Sequence, residues 1–297
     1  MNGGLLRVDL AVCTYRRWSL MECLESIAAQ DMRRLVDLRV IVADNNESPM
    51  MAEAVAHAAR DLALPITYVH APAKNISVAR NACLDAAEGD WLLFIDDDEA
   101  ARPNWLARLL ARREEADVIF GVSEALMGAG APGWMRSGAF HSNRFNGNDK
   151  PHNGYTCNVA MRRAAIAGLR FAPELGTVGG EDTLFFHEAM RRGLRFAYAP
   201  DAVVTEHIPD HRATLGWLLR RRFRSGQTHQ MLLAREGRRA ITVVPVAVFK
   251  VACCLLAALA NGFSRERAAA FLARGWFHCG VVAAALGRRH VQEYAAA

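Results

Sequence analysis

At 297 residues the chain can bury one large core or carry a domain with an appendage. A composition of 52% hydrophobic and 23% charged residues is that of a globular protein and excludes wholesale disorder. The net charge of +5 is nearly all arginine, with Lys74, Lys150 and Lys250 the only lysines. Arginine forks suit phosphate and carboxylate, or an acidic membrane surface. No long basic run is interleaved with aromatics, so nucleic acid is not an expected partner.

Leu6–Cys13 reads as a first apolar strand, followed by Thr14, Tyr15, Arg16 and Arg17. Ser19 and Glu22 have capping-box spacing before Leu20, Leu24 and Ile27, which share a helical face. A second strand, Leu38–Ala43, ends at Asp44, giving strand, helix, strand at βαβ length. No GxGxxG opens the first helix, which argues against a dinucleotide-binding Rossmann domain. Met50–Leu62 reads as a helix and Ile66–Val69 as a short strand. Ser77 can cap a helix from Val78 to about Ala87, which places Arg80 in its first turn. Cations are disfavoured there, so Arg80 has either an anionic partner or a plain surface role.

Trp91–Ile95 is five apolar residues without a break, the pattern of a strand buried on both faces. Asp96, Asp97 and Asp98 follow it. Adjacent carboxylates repel, so beyond a strand end they call for a cation, and oxygen donors suit a hard divalent ion that also suits a diphosphate. A solvated acidic turn is the alternative. Pro103 fits the first turn of a helix reaching about Ala116, and Val118–Val122 is another strand. Gly128–Gly154, rich in glycine with Trp134, Phe140 and Phe145, reads as a lid or binding loop.

Thr156–Met161 returns as a strand and Arg162–Ala167 as a short helix stopped by Gly168. A helix then opens at Gly179-Gly180-Glu181-Asp182, where Asp182 is a possible N-cap. A short strand, Arg195–Tyr198, precedes an apolar strand ending in His207, either a structural histidine or a metal ligand. Thr214–Arg235 is a helix bearing Arg220, Arg221, Arg222 and Arg224, either a solvated face or a grip on phosphate or anionic lipid. Ile241–Ala260 and Ala268–Gly287 are apolar stretches just long enough to span a bilayer, interrupted by Lys250 and Arg274. An interfacial or re-entrant hairpin tolerates those charges better than clean spans do, and a soluble dimerisation hairpin is the alternative. Cutting the chain near Gly237 is expected to leave a soluble catalytic part.

The seven cysteines are an odd number with no CxxC, so reduced, buried thiols of a cytosolic compartment are expected. The first fifteen residues do not read as a secretory signal.

Together these segments resemble the family 2 inverting glycosyltransferases of the GT-A fold, most of all the bacterial exopolysaccharide type, over about Val8 to Gly226. The residues that carry the resemblance are Thr14-Tyr15-Arg16-Arg17 after the first strand, the turn at Asp44, Asn75 to Arg80-Asn81, the DxD motif at Asp96-Asp97-Asp98, Glu181-Asp182, and His207 before a basic helix. Cys13 stands where proline is usual and Arg16 where asparagine is usual.

The resemblance implies an α/β fold with a mixed Rossmann-like sheet, a catalytic domain over residues 1–235 and a membrane-associating helical hairpin over 236–297. It implies transfer of a sugar from a nucleotide-diphosphate donor, first a UDP-sugar, to a hydroxyl of a glycan or lipid-linked acceptor with inversion, in cell-surface polysaccharide synthesis at the cytoplasmic face of the inner membrane. A homodimer is a further expectation. Thr14, Tyr15, Arg16, Asp44, Asn75, Arg80, Asp96 and Asp97 would face the nucleotide sugar. Asp98 with Asp96 or Asp97, and His207, would hold Mn²⁺ or Mg²⁺. Asp182 beside Glu181 would be the base, kept ionised by its place at a helix start, and Arg220 and Arg224 would contact acceptor or phosphate. A haloacid dehalogenase-type phosphatase using Asp96 and Asp98 is the alternative enzyme, and a catalytically silent sugar-binding module the third reading.

Overall fold

The computed structural model describes residues 5–31, 36–145, 151, 153–288 and 291. In chain order the elements are β1 (Leu6–Thr14), α1 (Leu20–Ala28), β2 (Val36–Asp44), α2 (Ala52–Asp61), β3 (Ile66–His70), α3 (Ile76–Ala86), β4 (Trp91–Asp96), β5 (Glu99–Ala101), α4 (Trp105–Leu110), β6 (Val118–Met127), α5 (Gly133–Ser137), β7 (Asn158–Arg162), α6 (Glu181–Arg191), β8 (Phe196–Ile208), α7 (Leu215–Arg235), α8 (Ala240–Ala260) and α9 (Arg265–Ala285). The strands form one mixed sheet in the order β3-β2-β1-β4-β7-β6-β8-β5. β3, β2, β1 and β4 run parallel, and β7 turns antiparallel against β4 and β6.

Both faces of the parallel part are covered, as the unbroken apolar runs require. Val8, Leu10 and Val12 of β1 join Trp91, Leu93 and Ile95 of β4 beneath α1, α2 and α4. Ala11, Leu92 and Phe94 face the other way, against α3 and the aromatic block of Phe120, Phe171, Phe185 and Phe186. Asp9, also buried, accepts from Arg39 Nε at 2.8 Å and from the Gly89 amide at 2.7 Å. Burial alone would raise its pKa, but Arg39 and the backbone amides outweigh that and hold the carboxyl low.

The chain divides into two compact units. The first takes Met1–Glu124, Ser142–Thr177 and Glu181–Glu206, and the second takes Ala125–His141, Val178–Gly180 and His207–Ala297. The expected boundary at 235/236 falls within the second unit.

Several local expectations change. Ser19 makes no side-chain cap bond. Asn75, not Ser77, caps α3, its side chain accepting the Ser77 and Val78 amides, while the Ser77 hydroxyl donates to Ala172 O. Arg80 therefore lies beyond the first turn of α3. Pro103 precedes the cap of α4, where Asn104 takes φ 62, a value asparagine tolerates, and α4 ends at Leu110. Residues 163–168 are turns and not a helix. The two strands expected over 195–207 are one strand, β8. The Gly128–Gly154 segment contains α5 and a bridge between Ser123 and Asn143, while 146–150 and 152 lie outside the described residues.

In the second unit α9 packs along both α7 and α8. α7 and α9 meet backbone to backbone: a Cβ on Gly226 would sit 1.9 Å from Phe277 O, and one on Gly280 would sit 1.9 Å from Phe223 O. α8 meets α9 where Gly275 lies against Cys254. α8 leaves Ile241, Val246, Val248, Phe249, Leu255, Leu256 and Leu259 exposed, and both α8 and α9 are long and apolar enough to cross a membrane. Because α9 covers α7, a chain ending at Gly237 would bare the face around Gly226, and the expectation that such a chain is soluble does not hold on packing grounds.

The crossing makes a testable demand. Gly280→Ala must push α7 and α9 apart, and overpacking of this kind costs about 1–3 kcal/mol. A drop of several degrees in the melting temperature of the purified full chain is expected. Gly216→Ala, whose Cβ meets nothing within 4 Å, should leave the melting temperature unchanged or slightly raised.

Candidate functional site

The register of the parallel strands brings their carboxyl ends together. Cys13 of β1 lies opposite Asp96 of β4, and Thr14 opposite Asp44 of β2. Open α/β sheets bind ligands at such an edge. Asp96 closes β4, and Asp97 and Asp98 form the tight turn into β5. Glu99 braces this turn: one oxygen accepts the Asp96 amide at 3.2 Å and the other the Ser123 hydroxyl at 2.5 Å. The three aspartate side chains are not equivalent. Asp96 is 44% exposed, Asp98 25% and Asp97 only 6%. Arg17 donates to Asp97 at 3.1 Å and also to Asp98. Burial nonetheless pushes Asp97 up to about 7, and pushes the Glu99 carboxyl well above its usual range.

Arg80 of α3 is buried against these acids. It donates to Glu181 Oε1 at 2.5 Å, its other nitrogen is 3.9 Å from Asp96 Oδ1, and its guanidinium lies over the Phe171 ring. The anionic partner anticipated for Arg80 is thus supplied by the chain itself. Asp182, in the first turn of α6, accepts the Thr183 amide at 2.6 Å. It is inside the helix and not its N-cap. Its place at the helix start does not hold its pKa low: burial, helped by the Glu181 charge and opposed by Arg80, pushes Asp182 up to about 7.

At the other end of the edge, Thr14 is buried and Tyr15 carries Arg16 and Lys74 near its ring. Arg16, at φ 54, reaches Glu47 at 2.9 Å. Asp44 is fully buried, with its oxygens accepting from the Asn46 amide, the Met51 amide and the Tyr68 hydroxyl, so it shapes the loop after β2. Asn75, besides capping α3, donates to Pro173 O at 2.8 Å.

Within the second unit, His207 is exposed near the end of β8 and Arg220 is exposed on α7. Arg224 is half-buried there, and Arg221 lies over the Trp217 ring. Buried His141 stacks on the same Trp217 ring, with centroids 4.9 Å apart.

The sequence reading named Arg17 in a motif without giving it a role, and gave none to Glu99, Cys157 and His141. Arg17 had a signal in the Thr14–Arg17 run, and Glu99 in the continuation of the acidic run. Cys157 and His141 had none, because long-range packing places them.

Among the described residues, Asp96, Glu99 and Cys157 have donor atoms within 4.8 Å of one another. His207 is not in that group. Asp97 Oδ2 and Glu181 Oε2 are buried without a hydrogen-bond partner. Orphaned carboxylate oxygens and carboxyls driven upward by burial fit a hard divalent cation. The Cys157 thiol, which burial also pushes up, does not suit such an ion and reads as wall.

Residues 9–170 match the family model described as glycosyl transferase family 2. The chain is similar to the succinoglycan biosynthesis protein ExoM of Rhizobium meliloti (strain 1021), at 43% identity over 303 residues, covering 100% of this chain and 98% of that protein. Its fold is similar to that of the mannosyltransferase PcManGT from Pyrobaculum calidifontis in complex with GDP-Man and Mn²⁺, with a TM-score of 0.66 at 18% identity, covering 95% of this chain and 88% of that one. It is also similar to S. aureus TarS 1-349 in complex with UDP-GlcNAc, with a TM-score of 0.53 at 21% identity over 69% of this chain and 59% of that one. The mixed sheet with its flanking helices is therefore the GT-A fold.

The Arg80–Glu181 pair joins α3 to α6 from positions 101 residues apart. Arg80→Ala leaves Glu181 buried and unpaired, and breaking a buried pair from one side costs about 3–5 kcal/mol. Arg80→Ala combined with Glu181→Ala should cost less than the sum of the two single changes, read from a double-mutant cycle of denaturant unfolding.

Proposed function

Because the chain belongs to glycosyl transferase family 2, we propose that it moves a sugar from a nucleotide-diphosphate donor, a UDP-sugar, to a hydroxyl of a glycan or lipid-linked acceptor with inversion, in cell-surface polysaccharide synthesis. The observation that carries this reading is the convergence of Asp96, Asp98, Arg80, Glu181 and Asp182 beyond the carboxyl ends of parallel strands. The similarity to a succinoglycan biosynthesis protein supports the polysaccharide context. The phosphatase alternative gives way to family membership, and Asp96 ends β4, whereas that enzyme type normally uses its first strand.

Asp96 and Asp98, the more exposed of the three aspartates, would hold Mn²⁺ or Mg²⁺, with Asp97 turned inward on Arg17 as the brace. When bound, such an ion neutralises charge on the departing nucleotide diphosphate. Thr14, Tyr15 and Arg16 would line the nucleoside end, with Asp44 and Asn75 fixing the loops behind them. Asp182 would take the proton from the acceptor hydroxyl during in-line attack. A carboxyl held at about 7 is well matched to general-base work near neutral pH. Glu181 would act through Arg80, fixing the guanidinium. Arg220 and Arg224 on α7 would contact acceptor or phosphate.

Residues 1–235 would carry the chemistry, and 236–297 would hold it at the cytoplasmic face of the inner membrane. The exposed apolar side of α8 supports this, because patches of that kind mark membrane or protein partners. The expected homodimer is the competing use of the same face.

Incubation with a panel of nucleotide sugars and Mn²⁺ tests the reading: nucleoside diphosphate release with one donor is expected, and release with none sinks it. Asp98→Ala should abolish transfer and weaken donor binding, and full activity in EDTA would refute the metal assignment. Asp182→Asn should lower turnover by about 10²–10⁴ while donor affinity barely changes. Activity within a few-fold of the parent would place the base elsewhere. The full chain should pellet with membranes and resist a salt wash, since apolar burial is not screened. A detergent-free dimer in the supernatant would show that the hairpin serves oligomerisation.

A further inference from the structure

Lys250 is the one charged residue of α8. It lies in the helical row Val243, Ala247, Cys254, Ala258, whose members Ala247, Cys254 and Ala258 are buried. The charge thus sits at the edge of the side of α8 that packs on α9, where it is exposed beside Phe249. α8 and α9 are joined by a short turn and meet at Cys254 and Gly275. In an antiparallel pair, the turn before Cys254 is level with the turn after Gly275, so Lys250 is level with His278.

The same level is reached from α7. Gly226 approaches Phe277 O, and the His229 ring lies 5.5 Å from the Phe277 ring. His278 sits in the field of Lys250, Arg274 and His229. His229 sits in the field of Lys250, with Glu236 the acid opposing it. Three helices therefore bring four cationic or cationisable groups to one place in an otherwise apolar hairpin. Among the described residues no carboxylate pairs with Lys250 or Arg274. His229, Lys250 and Arg274 are exposed and His278 is half-buried, so all four are reachable.

Unpaired charge in an apolar, membrane-facing element is costly and marks a functional partner. That partner must be an anion, since every group offered is a donor or a cation. It must also tolerate apolar walls, since Phe249 and Trp276 stand exposed beside Lys250 and Arg274. A free phosphate or a nucleotide meets only the first condition. We propose that His229, Lys250, Arg274 and His278 form a binding site for the diphosphate of a lipid-linked acceptor, with its hydrocarbon chain lying along α8. This rests on the reading of the hairpin as membrane-associating. It adds to that reading a specific site.

The test uses the full chain in lipid nanodiscs with a labelled polyprenyl diphosphate as probe, and with polyprenol and phosphatidylglycerol as comparisons. The parent should bind the diphosphate at least ten-fold more tightly than the polyprenol. Lys250→Ala with Arg274→Ala should lose that preference, Lys250→Arg with Arg274→Lys should keep most of it, and Arg238→Ala with Arg239→Ala should keep it fully. Circular dichroism and membrane pelleting of each variant report whether the hairpin is intact. Equal binding of diphosphate and polyprenol overturns the proposal. Equal competition by phosphatidylglycerol also overturns it, because the cations then serve bulk headgroups. A parent chain that does not pellet with membranes is a failure of the membrane reading itself, whereas a pelleting parent with no diphosphate preference is a failure of this site alone.

Discussion

A single buried guanidinium organises the acidic edge of the sheet. Arg80 cannot leave its carboxylates without stranding a charge, and Glu181 and Asp96 cannot lose Arg80 without repelling each other. The rest of the edge is arranged to keep that cation in place. Asn75 and Ser77 tie the start of α3 to Pro173 and Ala172, Asn81 accepts the Phe171 amide, and the Phe171 ring lies under the guanidinium. One fixed positive charge does not balance the site. Arg17 answers Asp97 and Asp98 only from the surface side, and two carboxyls remain near 7. The excess of acid over base is the physical basis for expecting a further cation there.

How much of this could be read from the residues depended on whether the cause was local. The unbroken run Trp91–Ile95 reads as a strand covered on both sides, which it is, and the acids after it fall at the end of that strand. Capping was read less well. Ser19 and Ser77 had the spacing of caps, but the Ser77 hydroxyl is drawn to Ala172, 95 residues away, and Asn75 takes the role instead. Asp182 was located correctly near a helix start, yet its charge state follows from burial beside Glu181, which no local pattern displays. The two strands expected over 195–207 are one long strand, β8, and the sheet tolerates Pro200 within it.

The C-terminal helices show the same division. Their length and apolar character were plain in the sequence, and so were the intruding Lys250 and Arg274. Their association with α7 was not, because it depends on two glycines 54 positions apart in the numbering that happen to face each other. The apolar residues of α8 that fill no core explain why hydropathy found the helix easily and said nothing of its partners.

The glycine crossing also bears on the order in which the chain can be built. During synthesis α7 emerges well before α9, and no side chain of α7 can occupy the space that the α9 backbone will take at Gly226. The groove on α7 stays open until the last long helix exists. In the interval the ribosome presents α8, the most apolar segment of the chain, with no helix yet in place to cover Cys254 or Ala258. The nascent chain thus meets a bilayer or a chaperone with its stickiest helix exposed and its second unit unfinished. Covering of α8 and closure of α9 onto α7 become one event in time, and the acids of the first unit, carried by earlier segments, can be in place before it.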